Sequence, residues 1–465
     1  MPRLRKLDPA SLAFQLQVQG PATAKTLAAT AQVDRSRVSR AIGQLSGSVI
    51  RLGVTRGARY ALRRSVRGAG DAFPIRRIDA VGQAHDWAEL TALHGGWRIT
   101  WADPKRSPVW SRHVLTTGGL VEGFPFFLGD VRPQGYLGRS VGHRLPTSLG
   151  LSVDPRNWSD DDTLIYLQAE GDDLPGDLIV GDEPLRRVQS KRIDGAFVAI
   201  AEADRGERYP ERAAGSLLLG VGASSVEGEQ PKFIATLGGG PGADANPVIV
   251  KFTDALTTPT GRRWADLLAA EAHALAILHE QGEAHAAPRL LDAGGRRFME
   301  FTRYDRVGSH GRRGVVSLRA LHQAFASANT NDWTVSASQL AEEEWITPEC
   351  LRSIRLRHSF GRLIGNTDMH FGNLAFWLGD DVPFELAPAY DVLPMLWAPT
   401  AGEATPRPEF TPLLPLPAER EIWRTAASWA VEFWARVAAD ARVSAEFSSI
   451  AGTAEAAVTR RLAAL

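Results

Sequence analysis

Residues 363–376, LIGNTDMHFGNLAF, place two polar side chains in a glycine-containing loop between two apolar runs. Asp368 and Asn373 stand five residues apart in that loop, and Asp391 follows eighteen residues later, after an apolar and aromatic stretch. A loop carboxylate can accept the proton of a hydroxyl group, whereas an amide oxygen and a second carboxylate are suitable ligands for Mg²⁺. The spacing predicts a site with Asp368 as general base and Asn373 and Asp391 as metal ligands, although each residue alone could equally cap a loop.

A segment rich in glycine and serine precedes this loop in the chain. Residues 216–252 read as a hairpin, SLLLG and PKFIATL around the loop VGASSVEGEQ, followed by the strand PVIVKF. Small residues allow backbone amides to approach a phosphate, and Lys251 at the end of the strand places an ammonium beside it. We expect the loop to contact nucleotide phosphates through Ser224, Ser225, Val226 and Gly228. Such a hairpin alone is weak evidence, and a strand-end lysine more often points into water.

The segment after Lys251 strengthens this interpretation. WADLLAAEAHALAILHEQG (264–282) has the periodicity of an amphipathic helix and carries Glu271 twenty residues after Lys251. In protein kinases an acid on such a helix pairs with a strand lysine and orients it toward the α- and β-phosphates of ATP. A short strand around residues 298–304 is in the place of a hinge whose backbone meets adenine, at Glu300 and Phe301. The order of these features predicts a site that uses ATP and Mg²⁺.

Charge divides the chain into two unequal parts. Residues 1–67, here called the basic head, contain thirteen Lys and Arg against two acidic residues, a net charge of +11. The remaining residues contain 40 basic and 51 acidic side chains, a net charge of −11. The basic head is therefore suited to a polyanion, whereas the rest of the chain is not.

The pattern of the basic head indicates how it would meet duplex DNA. Segments 11–20, 22–30 and 35–45 read as helices, and VIRLGVT and ARYALRR read as a strand-turn-strand wing. A helix presented by its N-terminal half fits the major groove, and arginines on a wing can grip the backbone. The residues predicted to contact DNA are Ser36, Arg37, Arg40, Arg56 and Arg59. The alternative is a basic unit that solubilises the chain or binds an acidic protein surface. Residues 68–74 have the composition of a linker.

Three motifs resemble a known family. SSVEGEQPK, NTDMHFGN and PAYD are similar to the phosphate loop, catalytic loop and metal-binding motif of the HipA family of serine/threonine kinases, toxins of bacterial toxin-antitoxin systems. GFPFFLGDVRPQGYLGR (123–139) resembles a segment of the subgroup with a fused DNA-binding domain. The resemblance implies that Asp368 is the base, Asn373 and Asp391 bind magnesium, Lys251 binds phosphate and Ser225 is autophosphorylated.

The resemblance also implies an architecture and a role. It implies an α+β, bilobal, protein-kinase-like fold preceded by a winged helix-turn-helix domain. The expected domains are the winged helix-turn-helix domain in residues 1–67, a HipA-like N-terminal subdomain with the kinase N-lobe in 72–300, and a helical C-lobe in 301–465. The expected role is that of a toxin-like growth regulator that autophosphorylates and binds operator DNA. HipA toxins usually leave DNA binding to a separate antitoxin, so the need for an antitoxin stays open here.

Other features bear on compartment and partners. The single cysteine, Cys350, excludes internal disulfides and a cysteine-cluster zinc site. No run of eighteen apolar residues and no signal-peptide pattern occurs, so we expect a cytoplasmic protein without membrane contact. The further expected partners are a protein substrate of unknown identity and, in a possible homodimer, a second copy of the chain. The alternatives are a catalytically silent kinase-fold regulator, a small-molecule kinase and a Mg²⁺-dependent DNA-acting enzyme.

Overall fold

The computed structural model describes residues 7–55, 57–116, 118–136, 138, 141, 145, 149–194, 199–218, 230–238, 245–400 and 403–465. The described part of the basic head contains α1 (Pro9–Gln19), β1 (Ala22–Thr23), α2 (Ala24–Ala31), α3 (Arg35–Gln44), β2 (Val49–Leu52) and β3 (Arg59–Leu62), with the strands in the order β1-β3-β2. Asp8, Thr23 and Asp34 precede the three helices, and the side chain of each accepts a hydrogen bond from a backbone N–H of the first turn. The three predicted helices and the strand pair are present.

The basic head packs directly against the next part of the chain. Leu52 and Ala61 of the head share a small core with Leu93 and Leu120. The prediction of a linker at residues 68–74 is wrong for residues 72–74. These residues belong to a strand, and the Phe73 side chain is fully buried in the core of the adjoining sheet.

Residues 72–194 form an antiparallel sheet with helices around it. Its elements are β4 (Ala72–Ile78), β5 (Ala84–Leu93), β6 (Gly96–Trp101), α4 (Ser111–Val114), β7 (Leu120–Val121), α5 (Phe126–Gly129), α6 (Asp160–Glu170), β8 (Leu178–Val180) and α7 (Asp182–Asp194). The strand order β7-β6-β5-β4-β8 defines what we call the middle sheet. Its core is continuous with side chains from residues 316–384, so the middle sheet and the helices that follow the site share one hydrophobic core.

A second sheet carries the predicted lysine. Its elements are β9 (Ala199–Ile200), α8 (Arg205–Leu218), β10 (Lys232–Leu237), β11 (Asn246–Phe252), α9 (Pro259–Glu280), β12 (Arg289–Ala293) and β13 (Arg296–Thr302). The strand order is β12-β13-β11-β10-β9, with β9 parallel to β10 and the other neighbours antiparallel. Tyr209 and Ala213 of α8 pack on one face of this sheet, and α9 packs on the opposite face through Leu268 and Ala272. The predicted helix 264–282 is confirmed up to Glu280, where α9 ends.

One predicted strand is a helix. The run SLLLG at 216–220 was expected to form the first strand of the hairpin, but residues 216–218 are the last turn of α8. Leu217 follows Ala213 and Tyr209 at intervals of four residues, which places all three on the face of α8 that meets the sheet. A short apolar run fits a strand or a helix equally well, and here the preceding residues decide in favour of the helix.

The C-terminal part is mainly helical. Its elements are β14 (Arg306–Val307), β15 (Gly311–Arg312), β16 (Val315–Ser317), α10 (Leu318–Phe325), α11 (Trp333–Glu342), α12 (Pro348–Leu363), β17 (Ala375–Trp377), α13 (Arg420–Ala439) and α14 (Ala445–Ala463). Trp423, Phe433 and Trp434 of α13 are buried against α9, α12 and α14. In the part of the chain that the structure describes, no helix is long and apolar enough to cross a membrane.

Candidate active site

A cavity of about 1310 Å³ lies between the sheet of β9–β13 and the helical part of the chain. Five predicted site residues line it together: Lys251, Phe301, Asp368, Asn373 and Asp391. These residues come from β11, from β13 and from two loops of the C-terminal part. The fold therefore brings side chains that are up to 140 residues apart in sequence into one site.

Lys251 lies at the centre of a buried ionic group. Its Nζ donates to both carboxylate oxygens of Glu271, at 2.6 and 2.8 Å, and also to the carboxylate of Asp391. Burial disfavours the ammonium, but Asp391 and Glu271 outweigh it, and the pKa of Lys251 is raised above its usual value. Glu271 is fully buried and does not line the cavity, so it acts on a ligand only through Lys251.

The loop after α12 holds the proposed base. The backbone N–H of Asp368 donates to the Asn366 side chain at 3.0 Å, and the Asn373 amide donates to the Asp368 carbonyl at 2.8 Å. The Trp333 indole donates to the His370 carbonyl at 3.0 Å, so the helical core also fixes this loop. Half of the Asp368 side chain is exposed, yet desolvation in the cavity raises its pKa, against the opposing charge of His370. A carboxylate with a raised pKa is a better proton acceptor than an ordinary one.

Asp391 has an unusual backbone. Its φ is +52°, in the left-handed region that Asp tolerates better than most residues. Tyr390 beside it donates its hydroxyl to the Gly372 carbonyl at 2.6 Å, which joins the Asp391 segment to the Asp368 loop. Burial alone would raise the pKa of the Asp391 carboxyl, but the nearby charges of Lys251 and Lys232 have a larger, opposite effect. The pKa is therefore below its usual value, and Asp391 is held ionised.

Asn373 and Asp391 fit a magnesium ion that nucleotide phosphates also bind. The described residues contain no group of three or more His, Cys, Asp or Glu that could hold a metal by itself. The bond from Asn373 to Asp368 uses the amide nitrogen and leaves the amide oxygen for a ligand. Mg²⁺ is commonly held by one or two protein oxygens together with substrate phosphates, which is the donor set available here.

Glu300 does not reach the cavity. Its backbone lies between Val250 of β11 and Arg289 of β12, in the middle of the sheet. Its carboxylate lies on the α8 side, where it accepts from Arg205 at 3.2 Å and from the Tyr209 hydroxyl. The Glu300 carboxylate therefore does not line the cavity, whereas Phe301, one residue later, does. An adenine contact by the backbone of this strand stays a prediction. Ser224, Ser225, Val226 and Gly228 lie outside the described residues.

Sequence reasoning missed one wall of the cavity. Residues 130–136, from the part of the chain that carries the middle sheet, also line it. Asp130 accepts from the Ser317 hydroxyl at 2.6 Å, a contact between residues 187 positions apart. Arg319 lies beside the Asp368 loop, since a Cβ on Gly372 would be 2.6 Å from its guanidinium nitrogen. No local pattern in the sequence reports contacts over such distances.

The predicted DNA-contacting residues differ in exposure. Ser36 and Arg40 of α3 are exposed, and Arg37 is half-buried and paired with Asp34 at 3.3 Å. The Arg59 guanidinium donates to the Pro21 carbonyl at 2.8 and 3.0 Å and is half-buried, and its contact with DNA stays a prediction. Arg56 lies outside the described residues.

Comparisons with known proteins agree with this arrangement. Residues 69–189 match the family model of the YjjJ-like toxin middle domain, and residues 224–460 match that of the HipA-like C-terminal domain. The chain is 34% identical over 443 residues to Toxin YjjJ of Escherichia coli (strain K12), with 94% of each chain covered. It also resembles the HipA toxin-antitoxin structure of Shewanella oneidensis MR-1, a complex of HipA, HipB and operator DNA. That match has a TM-score of 0.53 and 14% identity, and it covers 84% of this chain and 96% of that chain. This chain therefore belongs to the HipA-like toxin family and has its kinase-like fold.

Proposed function

We propose that this chain is a Mg-ATP-dependent serine/threonine protein kinase that carries its own DNA-binding head. One observation carries the proposal: the buried Lys251–Glu271 pair opens onto the same cavity as Asp368, Asn373 and Asp391. A strand lysine oriented by a helix glutamate, a loop carboxylate and a metal-binding pair are the groups that protein kinases use for phosphoryl transfer.

Each residue of the site has its own role in phosphoryl transfer. Lys251 binds the α- and β-phosphates of ATP, and Glu271 holds its ammonium in place. Asp368 accepts the proton of the substrate hydroxyl as the oxygen attacks the γ-phosphorus. Asn373 and Asp391 would hold Mg²⁺, which neutralises phosphate charge when it is bound.

The test compares wild type with Asp368→Asn after incubation with Mg-ATP and a protein substrate such as the chain itself. Intact-mass spectrometry should detect added phosphate on the wild type and at least about 100-fold less on the variant, while ATP affinity stays nearly equal. Equal phosphorylation of the two proteins would remove Asp368 as the base. Retained ATP binding without any transfer by wild type would favour the silent regulator.

We also propose that Ser225 is autophosphorylated, as its place in the phosphate-loop motif suggests. A phosphoserine adds about −1.5 to −2 charges where another polyanion must bind, so ATP affinity should fall after modification. Phosphosite mapping of wild type, Ser225→Ala and Asp368→Asn tests this. Phosphate on Ser225 that depends on Asp368 supports it, and an unmodified Ser225 in an active enzyme contradicts it.

The basic head is proposed to bind duplex DNA, chiefly through Ser36, Arg37 and Arg40. Its net charge of +11 and the exposure of Ser36 and Arg40 support this role. The HipA structure that this chain resembles was solved with HipB and operator DNA, which adds an antitoxin as a second candidate partner. Comparing DNA binding by the purified chain with and without such an antitoxin shows whether the head binds DNA by itself or whether DNA binding requires the antitoxin.

A further inference from the structure

One arginine faces the cavity beside the predicted base without a carboxylate partner. Arg319, in the first turn of α10, lines the cavity together with Asp368 and His370. Its side chain is half-buried, and in the part of the chain that the structure describes it forms no ion pair. A guanidinium keeps its charge at every physiological pH, so an anionic ligand would stabilise this one.

The neighbours of Arg319 fix the position of its guanidinium. It donates to the side-chain carbonyl of Gln134, which comes from the part of the chain that carries the middle sheet. On the other side, a Cβ on Gly372 would be 2.6 Å from a guanidinium nitrogen, so the glycine leaves the space that Arg319 occupies. Because a guanidinium has five N–H groups and Gln134 accepts from one nitrogen, donors remain for a ligand.

Other cations of the cavity already have carboxylate partners. Lys251 pairs with Glu271 and Asp391, and Arg303 pairs with Asp305 at 2.9 Å. These pairs neutralise the charge of Lys251 and Arg303 inside the protein. Arg319 differs from both, because its hydrogen-bond partner, Gln134, is uncharged.

The nearby acid Asp130 does not take this role. Its carboxylate already accepts from the hydroxyl of Ser317 at 2.6 Å and from the backbone N–H of the same residue. Burial raises the pKa of the Asp130 carboxyl, and the bonds from Ser317 and the charge of Arg319 oppose this rise only in part. The charge of Arg319 therefore remains available to a ligand in the cavity.

Arg319 lies on the side of the cavity that suits the phosphate acceptor. Lys251 and Lys232, both from the sheet, are the cations that act on the pKa of Asp391, the predicted metal ligand. Arg319 belongs instead to the helical part and touches the loop of the base. A cavity of about 1310 Å³ also exceeds the roughly 300–1,000 Å³ of an ordinary small-molecule site, so part of a second substrate fits beside a nucleotide.

We propose that Arg319 is a specificity residue that binds an acidic side chain of the protein substrate, close to the hydroxyl that is phosphorylated. The inference rests on the proposed kinase activity and names the class of its substrate. Asn373, next to Gly372, donates to the Asp368 carbonyl at 2.8 Å, so Arg319 is near the base. An extended peptide rises about 3.3 Å per residue, which places the acidic residue within about three positions of the acceptor.

The experiment uses synthetic peptides with a central serine in a neutral background. Each flanking position is varied in turn to Asp, Ala or Lys, and transfer from γ-labelled ATP is measured as kcat/KM. Wild type should prefer Asp over Ala at one position by about 10- to 100-fold, the size of a charge-assisted hydrogen bond. Arg319→Glu should prefer Lys at that same position, and the KM for ATP should stay as in wild type. Arg319→Lys should keep part of the preference for Asp, since it keeps the charge.

Two matched variants change the charge around Arg319 without replacing it. Gln134→Glu supplies a carboxylate at the existing hydrogen-bond partner, so it should remove the preference for Asp even though Arg319 is intact. Arg212→Glu makes the same charge reversal at an exposed arginine of α8 on the wall of the same cavity, and it should leave the preference unchanged. Thermal midpoints verify that each variant is folded, and Gln134→Glu tests the inference even if Arg319→Glu does not fold.

The possible outcomes separate this inference from the proposed function. If wild type phosphorylates peptides without selecting an acid, or if Arg319→Glu and Gln134→Glu keep the wild-type preference, the assignment of Arg319 is wrong and the kinase activity stands. Transfer to the chain itself but to no peptide also overturns the assignment. If wild type neither binds ATP nor transfers phosphate, the proposed function fails, and the inference fails with it.

Discussion

At the scale of single residues, the buried Lys251–Glu271 pair has the largest consequences. Glu271→Gln leaves the Lys251 ammonium with Asp391 as its only carboxylate partner, and removing one member of a buried pair costs about 3–5 kcal/mol. We expect a loss of unfolding free energy of this order in urea titrations, together with a large loss of phosphoryl transfer. Glu280→Gln is the matched control, because Glu280 lies on the same helix, is half exposed and pairs with Arg436 at 2.8 Å. It should cost less than about 1 kcal/mol. Equal costs for the two variants would contradict the importance given to the buried pair.

Residue spacing predicted the site well where the motif itself determines the geometry. Asp368 and Asn373 share one loop, and Lys251 and Glu271 belong to one strand and the helix that follows it, so local periodicity places them. The partners of Glu300 and Arg59, namely Arg205 and Pro21, come from other elements and were not predicted. Which face of a strand a side chain uses depends on the register with its neighbours, and the sequence of the strand alone does not give that register.

At the scale of elements, the docking of the basic head on the middle sheet is testable. Gly118 has a φ of +80°, and a Cβ there would be 2.5 Å from the Gly53 nitrogen and 2.6 Å from the Leu52 Cα. Gly118→Ala should therefore push the sheet of the head away from the middle sheet and lower the thermal midpoint. Gly68→Ala is the control, because Gly68 has a φ of +81° and open space around its Cβ position. Both variants carry the left-handed strain of about 1–2 kcal/mol, so the difference between them measures the contact. Equal thermal midpoints for the two variants would mean that the head moves away from the middle sheet without loss of stability.

Helix α9 was predictable, because its sequence has clear amphipathic periodicity. The first strand of the hairpin was not, because a short apolar run fits a helix as well as a strand. The sequence of the middle sheet also contained no local pattern that identified the helices on which the sheet packs. Phe126 packs on Phe325 with ring centroids 5.3 Å apart, although the two residues belong to separate parts of the sequence. Shared cores of this kind are fixed by tertiary packing.

At the scale of the whole molecule, the basic head and the rest of the chain have opposite net charges, which separates the proposed DNA-binding role from the proposed catalytic role. The affinity of the full chain for duplex DNA should fall steeply with salt, as expected for a head that neutralises several phosphates. Arg40→Ala should reduce sequence preference by about 1–3 kcal/mol. Arg106→Ala removes an exposed arginine outside the head and should change neither property. Fluorescence anisotropy with operator-like and random duplexes at several salt concentrations measures this. Binding that is absent at low salt, or equally weakened by both variants, would contradict the role of the head.

The central claim is phosphoryl transfer from ATP, and labelled nucleotides test it most directly. Purified chain is incubated with ATP labelled either at the γ-phosphate or at the α-phosphate, with Mg²⁺ or with a chelator, beside Asp368→Asn. The account predicts acid-stable label in protein serine or threonine only from γ-labelled ATP, only with Mg²⁺ and only when Asp368 is intact. Label from α-labelled ATP, or no label at all from a wild type that binds ATP, would contradict it.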